Sequence, residues 1–351
     1  MMRPQAKTAM SPQSFQVRIG AGDTPVFQCS TDETLLAAAL KAGLGFPYEC
    51  QSGSCSSCRF QLLEGDVKDL WSNAPGLNAE ARECGMHLGC QSTPGSDCRI
   101  KLRLKPGYVP QVIPTRQHAA LVDVVPLTQD MFEFQFRTEA PAEFLPGQYA
   151  LLRLPGVVGT RAYSMSNLPN GIGEWHFIVK RKPGGCGTAV LFDVLKRGDA
   201  IELEGPYGTA YLRTETGRGV VCIGGGSGLS PMLSILRGAV CNPAMTERRL
   251  LMFYGGRTPL DHCVAEVFAG EPELKRRVEL FSAISDVNAE IANWDGERGL
   301  IHEVLAKHIG PNPGQYDFYF CGPPPMTDAV HKLLVLNYRV PSEQLHFDRF
   351  V

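Results

Sequence analysis

The chain has 351 residues, 44% of them hydrophobic, and its 34 basic and 36 acidic side chains give a formal net charge of -2. This length accommodates two or three domains, and the balanced charge excludes a protein that binds nucleic acid through a basic excess. The apolar run at residues 35–40 is far too short to cross a bilayer, and the amino terminus has no apolar signal-peptide core. We therefore expect a cytoplasmic protein with no nucleic-acid or membrane partner, whose 12 cysteines are cofactor ligands and buried thiols.

The first hundred residues alternate short strands and helices around one cysteine-rich loop. The pattern predicts strands at 15–19 and 26–29, a helix at 35–41, a strand at 60–63, a short helix at 78–84 and a strand at 99–104. Ser30 and Glu33 have capping-box spacing before the first helix, and Gly43 is suited to end it. The cysteine loop follows this helix directly.

Three cysteines of that loop have the spacing of a metal site. Cys50, Cys55 and Cys58 read C-x4-C-x2-C and are separated by small or polar residues. With a distant fourth cysteine, this spacing is typical of plant-type two-iron two-sulfur clusters. Zinc sites usually show two short Cys/His pairs, so structural zinc and unligated thiols are the alternatives.

The fourth ligand has three candidates, which are Cys84, Cys90 and Cys98. Cys84 belongs to the predicted short helix, and Cys98 opens the strand at 99–104. Cys90 lies between them beside Gly89, which allows close approach of the backbone to a cluster. We therefore predict Cys90, with Cys98 as the alternative.

The element order of residues 1–107 resembles a plant-type ferredoxin, which implies a β-grasp fold. Residues 51–57 are short and polar, so we expect a redox partner to approach the cluster there. Four acidic residues lie near this loop in sequence, and they form either an acidic rim that steers a basic partner or ordinary solvated turns. They are Glu49, Glu64, Asp66 and Asp69.

A proline-rich linker at residues 106–114 separates this segment from a run of closely spaced strands. Strands are predicted at 120–125, 131–137, 148–154, 161–166, 175–180 and 200–204, with a helix at 188–195. Short strands at such intervals indicate an antiparallel barrel.

Two motifs in the barrel point to a nucleotide cofactor. Arg161 and Tyr163 fall on the same face of a strand and can offer a cation for phosphate and a ring for stacking. Residues 184–188 read Gly-Gly-Cys-Gly-Thr and lead into a helix whose amino terminus favours pyrophosphate. Taken singly, each motif also fits a solvated arginine beside a core tyrosine, or a simple turn.

Together with residues 146–149 and 205–208, these motifs resemble the flavin domain of the ferredoxin-NADP reductase superfamily. The resemblance implies FAD rather than FMN within residues 115–214. It implies that Arg161 contacts phosphate, Tyr163 stacks on the flavin and Ser164 hydrogen-bonds near its N5. The remaining residues expected to bind this cofactor are Val179, Lys180, Gly185, Gly187 and Thr188.

Residues 217–351 have the pattern of an α/β domain. A buried strand at residues 219–223 runs into the glycines of 224–228, which read G-x-G-x-x-P with Pro231 rather than the dinucleotide fingerprint G-x-G-x-x-G. Further strands at 249–254, 278–283 and 316–321 alternate with helices at 262–268, 301–308 and 327–337. This alternation predicts a parallel sheet covered on both faces, with its ligand at the carboxyl ends of the strands.

The glycine turn and the Cys-Gly-Pro-Pro-Pro-Met segment at 321–326 resemble the nicotinamide-binding domain of the same superfamily. The resemblance implies that Cys321 lies near the site of hydride transfer, as Ser164 does on the flavin side. Other residues predicted to bind the dinucleotide or shield the flavin are Gly225, Gly226, Gly228, Arg257, Gly322 and Phe350. We expect NADH to be preferred over NADPH, although Arg257 is a possible partner for a 2′-phosphate.

The predicted fold is therefore multidomain: an α+β ferredoxin, a β-barrel flavin domain and an α/β nicotinamide domain. This order resembles the reductase components of bacterial multicomponent oxygenases. Several short sequence segments, among them residues 46–50 and 346–350, look most like those of toluene-type diiron monooxygenase reductases. The resemblance implies that electrons pass from NADH through FAD and the cluster to an oxygenase hydroxylase component, or to an intermediary ferredoxin or Rieske protein. Rieske-type oxygenase reductases, sugar-deoxygenation reductases and a zinc-dependent interaction module fused to a flavoprotein are the alternatives.

Overall fold

The computed structural model describes residues 12–20, 25–286 and 294–349. The chain divides into two compact units, Met1–Ile113 and Pro114–Val351. The division falls within the proline-rich linker predicted at residues 106–114, and the second unit contains both the barrel and the α/β segment. Phe350 lies outside the described residues. Within the described ranges, no helix has the length and apolar content needed to cross a membrane.

The first unit is a mixed sheet with one buried helix. Its elements are β1 (Ser14–Ile19), β2 (Val26–Ser30), α1 (Leu35–Lys41), β3 (Arg59–Glu64), β4 (Val67–Asp69), α2 (Ala79–Glu83), β5 (Met86–Leu88), β6 (Ser92–Pro94) and β7 (Cys98–Lys101). Five strands form a sheet in the order β2-β1-β7-β3-β5, and β4 pairs separately with β6. Only β1 and β7 run parallel in the larger sheet.

Helix α1 starts at a different cap from the one predicted. The hydroxyl of Thr34 accepts a hydrogen bond from the backbone N–H of Ala37 at 3.2 Å, so Thr34 is the N-cap. Ser30 and Glu33 instead close the turn before the helix, where the Glu33 carboxylate accepts the Ser30 N–H. Gly43, with φ of 74°, ends the helix as predicted.

The barrel segment of the second unit contains every predicted strand. Its elements are β8 (Thr115–Pro126), β9 (Met131–Arg137), β10 (Tyr149–Arg153), β11 (Arg161–Ser164), β12 (Glu174–Lys180), α3 (Cys186–Ala189) and β13 (Ala200–Tyr207). All neighbours are antiparallel, in the order β11-β10-β13-β8-β9-β12. The core between them is aromatic and includes the fully buried side chains of Phe134, Phe136, Trp175 and Phe177.

The two edge strands of this sheet, β11 and β12, meet in a short seam. A single bridge pairs Met165 with Phe177, just beyond the end of β11. The backbone N–H of Ser166 also donates to the carbonyl of His176 at 2.8 Å. The barrel is therefore closed over only a few residues at this seam.

The α/β segment is a parallel sheet between two helical layers. Its elements are β14 (Gly219–Gly225), α4 (Leu229–Cys241), β15 (Leu250–Gly256), α5 (Val264–Gly270), α6 (Pro272–Arg277), β16 (Val278–Ile284), β17 (Glu297–Arg298), α7 (Ile301–His308), β18 (Tyr316–Gly322), α8 (Pro324–Lys332) and β19 (Leu345–Arg349). The strand order is β17-β16-β15-β14-β18-β19. Strands β17 and β19 were not predicted from the sequence.

The apolar run of β14 shows why this sheet is covered on both sides. Val220 and Cys222 pack into the core layer that contains α4, whereas Val221 and Ile223 pack into the layer that contains α7. Successive side chains of a strand point to opposite faces, so a continuous apolar run needs cover on both. The strand order reverses between β14 and β18, and a ligand of an open parallel sheet binds beyond such a point.

Candidate functional site

The cysteine loop of the first unit is shaped by unusual backbone conformations. Gln51, Gly53 and Ser56 have positive φ values of 49°, 84° and 65°. Such residues turn the chain tightly, and the backbone N–H of Ser52 donates to the sulfur of Cys50 at 3.4 Å. The loop therefore wraps around its own thiols.

Four thiols come together in two pairs. The sulfur atoms of Cys58 and Cys90 lie 3.4 Å apart and share a hydrogen bond, and Cys50 and Cys55 form a second hydrogen-bonded pair. Within each pair, the shared hydrogen bond shifts the pKa values of the two thiols in opposite directions. The pKa falls to about 4 for Cys50 and rises for Cys55, and it falls for Cys58 and rises for Cys90.

The paired arrangement fits a two-iron cluster better than a single metal ion. Among the described residues, no group of three or more His, Cys, Asp or Glu side chains is arranged around one ion. A tetrahedral zinc site needs four ligands converging on one point, whereas a two-iron cluster held by four thiolates uses two sulfurs for each iron. The donor set is therefore suitable for the cluster.

Cys90 and Cys98 occupy different places. Cys90 is buried against Cys58, whereas the thiol of Cys98 lies in β7, where burial and Asp97 raise its pKa to about 11. At Gly89, a Cβ would lie 2.7 Å from the ring of Phe46. That glycine makes room for a core aromatic ring.

The acidic residues near the loop do not form a set of free charges. Glu64 forms a salt bridge with Arg99, and the Asp69 carboxylate lies 3.0 Å from His87 Nδ1 and accepts from the Ser92 hydroxyl at 2.8 Å. Burial alone would raise the pKa of Asp69, but these hydrogen bonds lower it. Glu64 and Asp69 therefore have local partners.

The flavin motifs of the barrel are brought together at one end of β11. A Cβ on Gly187 would lie 3.1 Å from Cγ of Arg161 and 3.2 Å from the hydroxyl oxygen of Tyr163. A side chain at this position would have to displace one of these two neighbours by a few tenths of an ångström. Burial raises the pKa of Tyr163 to about 12, so its ring stays neutral and available for stacking.

The other residues of the glycine loop have local partners. The Thr188 hydroxyl donates to the carbonyls of Gly185 and Lys182 at 3.1 and 3.3 Å and so closes the loop on itself. The guanidinium of Arg161 donates to the sulfur of exposed Cys186 at 3.2 Å and to nearby carbonyls. The loop thus holds a cation beside the helix terminus, where an anionic group binds favourably.

Residues on β12 face two directions. The side chain of Val179 packs into the barrel core. The next residue, Lys180, reaches the α/β segment and places its ammonium 2.6 Å from Oδ1 of Asp261 and 3.4 Å from Asp130. A Cβ on Gly226 would contact the Lys180 side chain at 3.4 Å. Lys180 therefore lies over the glycine turn that follows β14.

That glycine turn is packed against the end of β18. A Cβ on Gly228 would lie 2.0 Å from the carbonyl oxygen of Cys321, and one on Gly225 would lie 2.8 Å from the sulfur of Met326. Gly226 has φ of 56°, and its carbonyl accepts the Tyr254 hydroxyl at 3.2 Å. The ends of β14 and β18 therefore lie side by side at this turn, which is suited to bind a pyrophosphate.

Cys321, Gly322 and Arg257 lie at the same edge of the sheet. The Cys321 thiol is buried in an apolar layer, which raises its pKa, and its backbone faces the glycine turn with that of Gly322. Arg257 is exposed directly after β15, and its backbone N–H donates to Asp261. The structure thus brings the predicted nicotinamide residues together at the carboxyl ends of β14, β15 and β18.

Two polar residues of this site were missed by the sequence analysis. Asp261 accepts hydrogen bonds from the N–H groups of Arg257 and Thr258 while it holds Lys180, and its spacing from Thr258 is that of a capping box. Ser230 bonds to two strands of the barrel. The sequence around Ser230 carries no signal of this, because both partners are distant along the chain.

Three domain families match the chain. Residues 21–95 match a 2Fe-2S iron-sulfur cluster binding domain, residues 118–211 an oxidoreductase FAD-binding domain and residues 222–332 an oxidoreductase NAD-binding domain. The first match includes Cys90 and ends before Cys98. The three cofactor domains therefore occur in the order predicted from the motifs.

Similar proteins cover almost the whole chain. The ferredoxin–NAD(+) reductase component of the alkene monooxygenase system from Xanthobacter autotrophicus is 43% identical over 93% of this chain and 98% of its own. The xylene/toluene monooxygenase electron transfer component XylA of Pseudomonas putida is 32% identical over 99% and 94%. A solved structure of the ferredoxin reductase in carbazole 1,9a-dioxygenase has a TM-score of 0.89 and 37% identity, covering 97% of this chain and all of that one.

A [2Fe–2S] domain, an FAD-binding domain and an NAD-binding domain on one chain define an electron-transfer reductase of the iron–sulfur flavoprotein class. The chain belongs to the ferredoxin–NAD(P) reductase family whose members are components of multicomponent oxygenase systems. The predicted fold, cofactor classes and enzyme class are confirmed.

Proposed function

We propose that this reductase takes electrons from NADH and delivers them singly, through a cluster held by Cys50, Cys55, Cys58 and Cys90, to an oxygenase component. The observation that carries the proposal is the arrangement of the four thiols in two close pairs. The paired sulfurs are available as ligands for two irons, and the same chain contains both nucleotide-binding segments.

The FAD would be held by the glycine loop and β11. Arg161 supplies a cation for phosphate, and Tyr163 supplies an uncharged ring beside Gly187. The backbone of Gly185 and the short helix that includes Thr188 surround the same position. By resemblance, Ser164 donates a hydrogen bond near the flavin N5.

The dinucleotide would be held where β14, β15 and β18 end. The turn of Gly225, Gly226 and Gly228 offers backbone N–H groups to phosphate. The Lys180 side chain lies against Gly226, with its ammonium paired to Asp261. The backbone of Cys321 and Gly322 borders the turn, and we assign the nicotinamide ring to this border. Arg257 is exposed directly after β15, and we assign it to the adenosine side of the dinucleotide.

When bound, the three groups supply two-electron uptake from a reduced nicotinamide, its conversion to single electrons and one-electron delivery. The protein's own residues orient the cofactors and exclude water between them. Neither Ser164 nor Cys321 has to act as a general acid or base. The Cys321 thiol, with its raised pKa, remains neutral and keeps this border apolar.

We propose an aromatic hydrocarbon monooxygenase of the diiron type as the partner, and the cytoplasm, where NADH is available, as the location. The likeness to XylA and to the alkene monooxygenase reductase supports this partner. A Rieske-type dioxygenase is the second candidate, because the carbazole 1,9a-dioxygenase reductase structure is also closely similar.

The test begins with the purified protein. We expect iron and sulfide in a two-to-two ratio per chain, one FAD, and reduction of ferricyanide with a higher kcat/KM for NADH than for NADPH. A plain yellow protein that contains zinc would contradict the cluster, and an NADPH preference would contradict the proposed donor. Reconstituted hydroxylation assays with separate diiron and Rieske oxygenase components then identify the partner.

A further inference from the structure

The barrel seam next to the flavin motif contains a hydroxyl group from another part of the chain. Beyond the bridge between Met165 and Phe177, the next pair along an antiparallel ladder would be Ser164 and Ile178. These two residues are joined through Ser230, whose Oγ donates to the Ser164 carbonyl at 2.7 Å and accepts the Ile178 N–H at 3.1 Å. The Ser230 hydroxyl therefore replaces one rung of the barrel.

Ser230 is the first of three polar residues on one face of α4. Ser234 and Arg237 follow at helical spacing, and they donate to the carbonyls of Asn167 and Ser166 at 2.8 and 2.5 Å. Residues spaced in this way share a helix face. The face as a whole fastens the α/β segment to the chain that leaves β11.

Ser230 differs from the other two in what it connects. Ser230 bonds to both seam strands, whereas Ser234 and Arg237 each donate to one carbonyl of the chain that leaves β11. It is only 1% exposed, and it lies in the first turn of α4, two residues after Gly228 of the glycine turn. One short piece of chain thus links the proposed dinucleotide turn to the backbone of Ser164.

We propose that Ser230 is a positioning residue for hydride transfer, setting the distance between the glycine turn and the flavin-facing Ser164 through its bridge across the barrel seam. The inference rests on the proposed flavin role of Ser164. Replacing the hydroxyl leaves the Ser164 carbonyl and the Ile178 N–H, both buried, without this partner. The seam then loosens at the residue that faces the reacting atoms.

The experiment compares Ser230→Ala with Ser234→Ala in the full-length, FAD-loaded protein. Both substitutions remove a buried serine hydroxyl of α4 that bonds to the barrel, so both lower stability. Rapid mixing with NADH measures the rate of flavin reduction. We expect Ser230→Ala to slow it about 10-fold and Ser234→Ala less than about twofold, because only the first displaces the reacting groups.

Two further readouts separate positioning from a general loss of stability. Hydrogen exchange at the Ile178 amide, measured without NADH, should accelerate in Ser230→Ala and stay at the wild-type rate in Ser234→Ala. The deuterium isotope effect on flavin reduction should increase in Ser230→Ala alone. Ser230→Thr keeps the hydroxyl and should restore Ile178 protection and most of the rate.

The outcomes are distinct. Equal rates for the two alanine variants, or unchanged exchange at Ile178 in Ser230→Ala, would overturn the positioning role. If Ser230→Ala does not fold, Ser230→Thr alone provides the test. A Ser230→Thr protein that keeps the Ile178 amide protected but reduces its flavin about 10-fold more slowly than the wild type would also overturn the positioning role. A wild-type protein whose flavin is not reduced by NADH would instead refute the proposed function.

Discussion

The cysteine loop of the first unit and the barrel seam bridged by Ser230 are built in opposite ways. Three of the four thiols that we propose as cluster ligands lie within nine residues, and positive φ values in the same loop bend the backbone around them. At the seam, the Ser230 hydroxyl bonds to the backbone of Ser164 and of Ile178, which lie 66 and 52 positions away in the sequence. One site is a local conformation, and the other depends on two folded segments packing together.

Because of this difference, substitutions at the two sites should have different effects. A ligand change in the loop removes a cofactor but leaves the second unit's core contacts intact. A change in the seam or the glycine turn leaves the proposed cluster ligands in place and alters the geometry between the proposed flavin and dinucleotide sites. The two sites should therefore fail independently.

The largest expected effect is loss of the cluster in Cys90→Ser. Cys90 pairs with Cys58 at 3.4 Å, so its removal leaves one iron short of a ligand. Iron and sulfide content and the visible bands of the cluster should be lost, while NADH-driven ferricyanide reduction through the flavin persists. Cys98→Ser is the matched control and should retain full iron content; iron loss there, with retention in Cys90→Ser, would make Cys98 the ligand.

The second effect concerns the glycine turn. A Cβ at Gly228 would lie 2.0 Å from the Cys321 carbonyl oxygen, so Gly228→Ala must shift the turn or the end of β18. We expect flavin reduction by NADH to fall about 100-fold, since a displacement of about 1 Å is enough for this. Cluster content should not change.

Gly270→Ala is the control for that substitution. Gly270 ends α5, and a Cβ there meets no atom within 4 Å. Its rate of flavin reduction should match the wild type. Equal rates for both alanine variants would show that the turn between β14 and β18 does not hold the dinucleotide.

A smaller effect is expected at Lys180, whose side chain lies against Gly226 of the glycine turn. Lys180→Met should raise the KM for NADH about 10-fold, the loss expected for one hydrogen bond from a charged group, with kcat nearly unchanged. Arg181→Met removes a neighbouring exposed cation and should leave KM alone. A drop in kcat at unchanged KM would contradict a binding role.

The pH dependence of this site follows from the Lys180–Asp261 ion pair. Burial would lower the pKa of Lys180, but the hydrogen bond to Asp261 raises it above 10.5. Burial would likewise raise the pKa of Asp261, but Lys180 lowers it below 3.8. The pair's stabilisation is lost only as pH falls through the depressed value or rises through the raised one, so KM measured between about pH 6 and 9 should show no titration of this pair.

The smallest effect is expected for the acidic residues near the cluster. Glu64 and Asp69 already have partners, so Asp66→Lys should slow association with the oxygenase component less than about threefold at low salt. Ferricyanide reduction should remain at the wild-type rate. A much larger slowing that disappears at high salt would restore the acidic rim as a steering surface.

The parts of this molecule that were predictable from sequence are those determined by neighbouring residues. The Cys50–Cys58 spacing, the alternation in β9 and the glycines after β14 each carry their own physical signal. Strand β19 carries none, because it becomes a strand only by pairing with β18. The predicted N-cap of α1 was wrong for a related reason. Ser30 and Thr34 both have a hydroxyl that can cap a helix, and the turn closed by Glu33 favours Thr34.

Ser230 shows the same limit within the site. Its neighbours, Leu229 and Pro231, are typical of any first helical turn, and its hydroxyl has no local partner to indicate a role. Its function arises from the meeting of Ser164 and Ile178 at an incomplete seam. Such a role can be found only after the barrel and α4 have been placed together.

The division of one continuous chain into two units at residues 113 and 114 also determines the kinetic order of the electron path. Because the linker is covalent, the two units remain at an effective concentration that does not depend on dilution. Delivery inside the chain is therefore first order, whereas transfer to the oxygenase is second order and depends on how much partner the cell contains. Cleaving the linker would make both steps second order, so that delivery to the cluster would then also depend on the concentration of the separated halves.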